Sequence, residues 1–246
     1  MGLAVIILAA GKGSRMRSDL PKVLHKVKER PLIEYVLDAS NALDPEKTIL
    51  IVGHQAALVK NAAARYSVTT TLQEPQLGTG HAVMQAKTAF EHFEGEILIL
   101  SGDTPLVNVQ TLQHLIEFHR SVNATATVLT ADLKDPAGYG RVIRHNNSDI
   151  VLKIVEHKDA TEEERIVQEI NSGIYVFNAP ILFQTLAEIT TNNTQKEYYL
   201  TDVFGICFNK NKRVVAFKTT NHNEIMGINN MKQLREVEQI LLKACL

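Results

Sequence analysis

The chain has 246 residues, 45% hydrophobic and 22% charged, and its 26 basic and 27 acidic side chains leave a formal net charge of −1. That balance supports a sizeable core and argues against a general nucleic-acid binder, so any cationic site must be local. Two cysteines without metal-ligand spacing (Cys207 and Cys245) and the lack of a membrane-length apolar run exclude a disulfide framework and a spanning segment, and cytoplasmic residence is expected.

In chain order, residues 3–8 open the first of three short, continuously apolar runs, followed by 48–52 and 97–100. Continuous rather than alternating hydrophobicity predicts strands covered on both faces by helices. Helical patterns fall between them. Leu32, Ile33, Val36, Leu37 and Leu43 make a stripe after Pro31, a favourable first-turn residue; a second helix is predicted over 56–65, and a third after Leu77-Gly78-Thr79. A fourth, over 109–121, carries Leu112, Leu115, Ile116 and His119 on one side. This alternation implies right-handed crossovers and a mostly parallel sheet.

The second half reads differently. Residues 124–131 predict a strand, 140–145 and 150–155 a hairpin around Asn146-Asn147-Ser148, and 174–177 and 214–218 two further strands, together a smaller mixed-sheet lobe. Thr161 and Glu164 form a capping box, so the acidic run 162–164 reads as a solvated first helical turn. Residues 209–213 read as a wet turn. The last pattern places Leu234, Val237, Leu241 and Ala244 at helical spacing, a docking helix within a terminal segment 229–246 that follows a catalytic domain over 1–228.

The most informative stretch is Leu8-Ala9-Ala10-Gly11-Lys12-Gly13-Ser14-Arg15-Met16, with Pro21-Lys22 beyond it. A strand emptying into such a loop at the carboxyl edge of a parallel sheet offers backbone N–H groups and cations to a polyphosphate. Gly11 and Gly13 permit close backbone approach, Arg15 can fork across phosphate oxygens, and Lys22 can act as a mobile charge. The residues after Gly11 do not fit the Walker template G-x-x-x-x-G-K-[ST], and the dinucleotide fingerprint fails at Met16, which stands in place of its third glycine. A plain tight turn would explain the glycines but not Arg15 and Lys22.

In Gln73-Glu74-Pro75-Gln76-Leu77-Gly78-Thr79-Gly80-His81-Ala82, a side-chain amide such as Gln73 can pair with a base edge, Gly78 admits main-chain contact, and Thr79 can bond a ligand or cap a helix. Ser101-Gly102-Asp103 follows the third apolar run, where Asp103 can either hold Mg²⁺ or cap the next helix. The nine histidines give no zinc motif, and Ser14, Ser101 and Thr79 have no evident His–Asp partners.

The opening string resembles the signature of sugar-nucleotide pyrophosphorylases, L-x-x-G-x-G-[ST]-R-M followed by a P-K pair, with Ser14 in the hydroxyl position. Residues 138–141, 154–160, 168–173, 197–202 and 227–230 also match in family order, so the resemblance covers nearly the whole chain. It points to the uridine-selective branch, the uridylyltransferase domains of bifunctional N-acetylglucosamine-1-phosphate enzymes. The resemblance implies a Rossmann-like α/β fold whose smaller lobe binds sugar. It also implies transfer of UMP from UTP to N-acetylglucosamine 1-phosphate, giving UDP-N-acetylglucosamine and pyrophosphate for cell-envelope synthesis. Arg15 and Lys22 would be catalytic, with Leu8, Ala9, Ala10, Gly11, Gly13, Gln73, Gly78 and Thr79 at the nucleotide. Ser101, Gly102, Gly140, Glu156, Asn171, Tyr199 and Thr201 would surround the sugar, and Asp103 and Asn229 would hold Mg²⁺. Read alone, Glu156 could be a surface ion-pair partner and Asn229 a helix cap. Ser101 departs from the tyrosine of these relatives, which bears on the choice of sugar. The alternatives are a pyrophosphorylase for another sugar 1-phosphate or nucleotide, or a non-catalytic nucleotide-sugar-binding regulator. No nucleic acid or membrane partner is expected, and oligomeric state is open. The hexapeptide repeats of a left-handed β-helix do not occur, so acetyltransferase activity is not expected of these residues.

Overall fold

Each of the three apolar runs becomes a strand, and its alternate residues enter different cores. The computed structural model describes residues 2–146 and 148–243. Asn147 of the expected hairpin turn, Ala244 of the terminal apolar row, Cys245 and the side chain of Ser14 lie outside what is described. Strand β1 is Leu3–Ala9, the short pair β2 (Lys26–Val27) and β3 (Arg30–Pro31) precedes helix α1 (Leu32–Asn41), and β4 (Lys47–Val52) leads to α2 (Ala56–Ala62). Then come β5 (Thr69–Leu72), α3 (Thr79–Met84), β6 (Glu96–Ser101), α4 (Val109–Ser121) and β7 (Ala126–Asp132). The second half contributes β8 (Arg141–Arg144), β9 (Val151–Val155), α5 (Glu162–Ile166), β10 (Glu169–Asn178), α6 (Ala179–Leu186), α7 (Asp202–Asn209), β11 (Val214–Lys218) and α8 (Met231–Lys243).

The main sheet runs β11-β7-β10-β6-β1-β4-β5, with β8 and β9 attached through β10. Strands β6, β1, β4 and β5 are mutually parallel, as are β7 and β11, whereas β10 is antiparallel to β6, β7 and β8. The mixed strands of the second half therefore extend the same sheet rather than forming a separate one, and the smaller lobe is the β8–β9 hairpin hung on the first half of β10.

Burial follows the strand period of two. Ile6, Ile49, Ile51, Ile97 and Ile99 face a core closed by α3, α6 and α7 through Val83, Leu182 and Phe204. Val5, Ile7, Leu50, Leu98 and Leu100 face a second core closed by α1 and α4 through Ile33, Val36, Leu112 and Leu115. Helix ends are marked as the sequence implies: Asn108 accepts from Gln110 N at 2.8 Å, and Thr161 with Glu164 completes the capping box. A third, smaller core joins Met16, Val27 and Leu32 to Ile228, Leu234 and Val237. It clamps α8 onto the loop after β1, so chain residues distant in sequence meet at one sheet edge.

That edge is level. Leu8 aligns with Ile51 of β4 and with Ser101 of β6, so the loops after all three strands open at the same height. In a parallel sheet this carboxyl edge is where ligands bind.

Candidate active site

The loop after β1 is held by its own geometry. Gly13 has φ +64°, a region that favours glycine, and a Cβ there would come within 2.6 Å of Lys22 Cβ. Met16 N donates to Gly13 O at 2.8 Å while the Met16 side chain is buried in the third core. Beyond Pro21 a single 3₁₀ turn buries Val23 and Leu24, which fixes the backbone from which Lys22 projects.

The loop after β6 lies against the first loop, with Gly102 N donating to Leu8 O at 2.9 Å. Asp103 is joined to the segment before α8 by Ile228 N, which donates to Asp103 O at 3.0 Å. Asn229 is anchored through its own N–H, which donates to Gln233 Oε1 at 2.8 Å. Its amide oxygen accepts from Arg15 Nη2 at 2.8 Å and from Lys22 Nζ at 3.2 Å. Lys22 also forms an ion pair with Asp103, the two side chains being 20% and 13% exposed. Four predicted residues from three segments distant in sequence thus meet at one point.

These groups stand at a cavity of about 480 Å³ whose walls include Leu8, Ala9, Ala10, Gly11, Lys22, Gln73, Gly78, Thr79, Ser101 and Asp103. Gly13, Arg15, Gly102 and Asn229 are not among the residues that line it. Lys12, Val23, Gln76, Ala82 and Glu197 also line it, although the sequence reading did not select them. Lys12, Gln76, Ala82 and Glu197 sit inside stretches already singled out. Glu197 arrives through long-range pairing: Tyr198 N donates to Leu77 O and Gly80 N to Tyr198 O, both at 2.8 Å. Gln73 is buried, and its amide nitrogen donates to Gly78 O at 2.9 Å, so it braces the loop it was expected to work beside.

The expected sugar residues divide. Glu156, Tyr199 and Thr201 line a second cavity of about 490 Å³. Thr201 Oγ1 donates to Glu156 Oε1 at 3.1 Å, and burial pushes the Glu156 carboxyl up despite that bond. Gly140 and Asn171 pair with each other at the junction of β8 and β10, Asn171 N donating to Gly140 O at 3.0 Å. Asn171 Nδ2 reaches Tyr175 Oη at 2.8 Å, while Ser101 Oγ donates to Gly173 O at 3.4 Å, linking this junction to the first cavity.

Among the described residues no group of three or more His, Cys, Asp or Glu side chains is arranged to hold a metal ion. A smaller donor set suits a hard cation completed by phosphate and water. The oxygens of Asp103 and Asn229 already share one cationic head, the Lys22 ammonium, so they lie close enough to share a metal ion. No helix among the described residues is long and apolar enough to cross a membrane.

A glycine loop, two cations and an oxygen pair at the carboxyl edge of a parallel sheet describe a phosphate-handling α/β protein. The nucleotidyl transferase family model matches residues 4–225, and the chain belongs to that family. Nucleotidyltransferases of this kind typically use a divalent metal. The chain is 48% identical to the bifunctional protein GlmU of Streptococcus mutans over 236 residues, which is 96% of this chain and 51% of the relative. It is 46% identical to GlmU of Halalkalibacterium halodurans over the same span and shares. The chain thus spans about half the length of the curated relatives it matches. In fold it is similar to a UDP-glucose pyrophosphorylase solved with UDP-glucose, with a TM-score of 0.81, 16% identity, and coverage of 99% of this chain and 100% of that one. A putative glucose-1-phosphate thymidylyltransferase from Bacillus anthracis gives a TM-score of 0.77 at 19% identity, covering 97% and 95%.

Proposed function

We propose that this chain transfers UMP from UTP to N-acetylglucosamine 1-phosphate, releasing UDP-N-acetylglucosamine and pyrophosphate, with Mg²⁺ as cofactor. The observation that carries the reading is the meeting of Arg15, Lys22, Asp103 and Asn229 beside the glycine loop. A regulator that only bound nucleotide sugar would have no need of two cations and an oxygen pair at one point. The relatives named GlmU support the sugar and base, and the fold shared with UDP-glucose pyrophosphorylase supports the reaction class. The nucleotidyltransferase domain is residues 1–228, and the terminal segment 229–246 supplies Asn229 to its site. The setting is the cytoplasm, where the product feeds cell-envelope synthesis.

Both reactants are anionic, so the residues have to position and neutralise rather than attack. A phosphate oxygen of the sugar 1-phosphate forms a bond to the UTP α-phosphorus, and the bond from that phosphorus to the β-phosphate bridge breaks. Lys22 offsets charge developing at the α-phosphate. Arg15 and the amides of Gly11–Gly13 hold the departing pyrophosphate. Asp103 and Asn229 would hold Mg²⁺, which supplies charge neutralisation between the two phosphates when bound. Gly78 and Thr79, braced by Gln73, present the base edge with main-chain groups. Ser101, Gly102, Gly140, Glu156, Asn171, Tyr199 and Thr201 form the sugar side. Glu156 and Thr201 meet the sugar as a bonded pair, and with the Thr201 proton committed to Glu156 both present acceptor oxygens.

Four nucleoside triphosphates tested against N-acetylglucosamine, glucose and galactosamine 1-phosphates, with pyrophosphate release as readout, decide the matter. UTP with N-acetylglucosamine 1-phosphate is expected to give the highest kcat/KM. Tight UTP binding with no release in the presence of Mg²⁺ would show a binder instead.

A further inference from the structure

Residues 193–201 form neither helix nor strand, apart from the turn at their end, yet they connect the two cavities. Their first part closes on itself: Asn193 Nδ2 donates to Glu197 O at 2.6 Å, and Glu197 N to Asn193 Oδ1 at 3.2 Å. Their middle pairs with the nucleotide loop through Leu77 and Gly80, and Leu200 N donates to Thr79 Oγ1 at 3.1 Å. Their end delivers Thr201 to Glu156. One side chain from outside the segment grips it twice. Asp159 Oδ1 accepts from Thr194 N at 2.8 Å, and Asp159 Oδ2 accepts from Tyr199 Oη at 3.0 Å.

We propose that Asp159 is a positioning residue, tying residues 193–201 into a strap that sets the sugar side and the nucleotide loop of the site together. The proposal rests on the reading of the two sides given above. Asp159 is itself placed by the site, because its N–H donates to Glu156 O at 2.9 Å in the turn after β9. Glu156 and Asp159 therefore hold the same segment from the same turn, one through Thr201 and the other through Thr194 and Tyr199. The contact at the far end leaves no slack, since a Cβ on Gly78 would come within 2.6 Å of Tyr198 O. A shift of the strap must move residues 77–80. Burial disfavours charge on Asp159, but the bonds from Thr194 and Tyr199 outweigh it and hold the carboxyl below its ordinary range, as an acceptor-only grip requires.

The test compares Asp159→Ala, Asp159→Asn and Tyr199→Phe with the parent protein, by amide hydrogen exchange without ligands and by steady-state kinetics. Asp159→Ala is expected to speed exchange about tenfold in 193–201 and in 77–82 alike, since local opening would become easier along one connected unit. KM for both reactants should rise about fivefold or more, with kcat changing less, as lost positioning of bound groups predicts. Asp159→Asn keeps one acceptor oxygen and should recover part of both effects. Tyr199→Phe removes one grip and should show a smaller change in the same direction, and it carries the test if Asp159→Ala does not fold. Faster exchange confined to 193–197, or unchanged KM values, would overturn the proposal. If the parent protein does not turn over UTP with N-acetylglucosamine 1-phosphate, the functional reading fails instead, and the paired exchange of 77–82 with 193–201 still decides the strap.

Discussion

Replacing Lys22 with methionine should move two measurements in opposite directions. The methionine stem keeps the packing above Gly13 while deleting the ammonium that pairs with Asp103 and donates to Asn229 Oδ1 at 3.2 Å. At about 4 Å and an effective permittivity of about 20, a unit-charge pair interacts by about 4 kcal/mol. Both side chains keep some contact with water, at 20% and 13% exposure, and solvation recovers much of that when the pair opens. A charge-assisted hydrogen bond retains about 1.5–3 kcal/mol net. A divalent ion approaching Asp103 and Asn229 in the parent protein must displace that interaction, so Lys22→Met should bind it about tenfold to a hundredfold more tightly without nucleotide. Turnover should fall about a hundredfold to a thousandfold, because the α-phosphate then loses the side-chain cation that offsets its developing charge. Mn²⁺ titration followed by electron paramagnetic resonance reads the first effect, and pyrophosphate release at saturating metal reads the second. Unchanged or weaker Mn²⁺ binding in Lys22→Met would refute the competition, and near-parent turnover would refute the catalytic role.

Gly13→Ala places a side chain at φ +64° and within 2.6 Å of Lys22 Cβ, so displacement of Lys22 should cut kcat by about a hundredfold, and the backbone strain should lower the thermal midpoint by a few degrees. Glu169 accepts from Arg144 Nε at 3.0 Å and from Thr130 Oγ1 at 2.6 Å, so Glu169→Ala removes the nearest carboxylate from a mostly buried guanidinium, which keeps Ser148 O and a longer ion pair to Asp149. Urea unfolding should show a loss of about 1.5–3 kcal/mol, and a loss near zero would contradict the burial argument. His119 donates or accepts across 2.7 Å to Thr127 Oγ1, and burial, with a smaller push from Arg120, lowers its imidazole to about 4. Its contribution is complete above the ordinary value near 6.5 and is lost as pH falls toward 4, about 3 kcal/mol in all. The stability-against-pH curve of His119→Gln should be flatter by that amount between those limits, and an unaltered slope would exclude His119 as its source.

The parallel strands were legible because burial on two faces leaves an unbroken apolar run, as in Val5–Ile7 and Ile97–Leu100. Strand β5 was not, since Thr69-Thr70-Thr71-Leu72 sits at a half-exposed edge and needs no apolar residues. The first half of β10 was also missed. Glu169, Asn171 and Ser172 have weak strand preference, and it is pairing with β7 and β8 that makes them extended. Helices α6 and α7 went unread, although Asn178 and the proline after it signalled the start of α6. In the site, the glycine loop with Arg15 and Lys22 was readable as local chemistry, and Asp103 as a residue at a strand end. What the residue pattern alone could not show is that Asn229 meets Arg15 across 214 positions, which depends on Met16 and α8 sharing a core. Nor could it show that Gln73 spends its amide nitrogen on Gly78, a contact formed only when the loop closes.

Strand β10 makes the sheet and its hairpin mechanically one object. Residues 175–178 pair with β6, residues 169–171 pair with β7 and carry β8, and between them the register shifts around Gly173 at φ +78°. The hairpin joins, through Ile170 and Arg141, the same strand that completes the central sheet, so the two regions should melt in a single cooperative transition. The same continuity stiffens the sugar side against rocking. The shift around Gly173 is then where the ladder of β10 is interrupted, between the part that carries the hairpin and the part that completes the sheet.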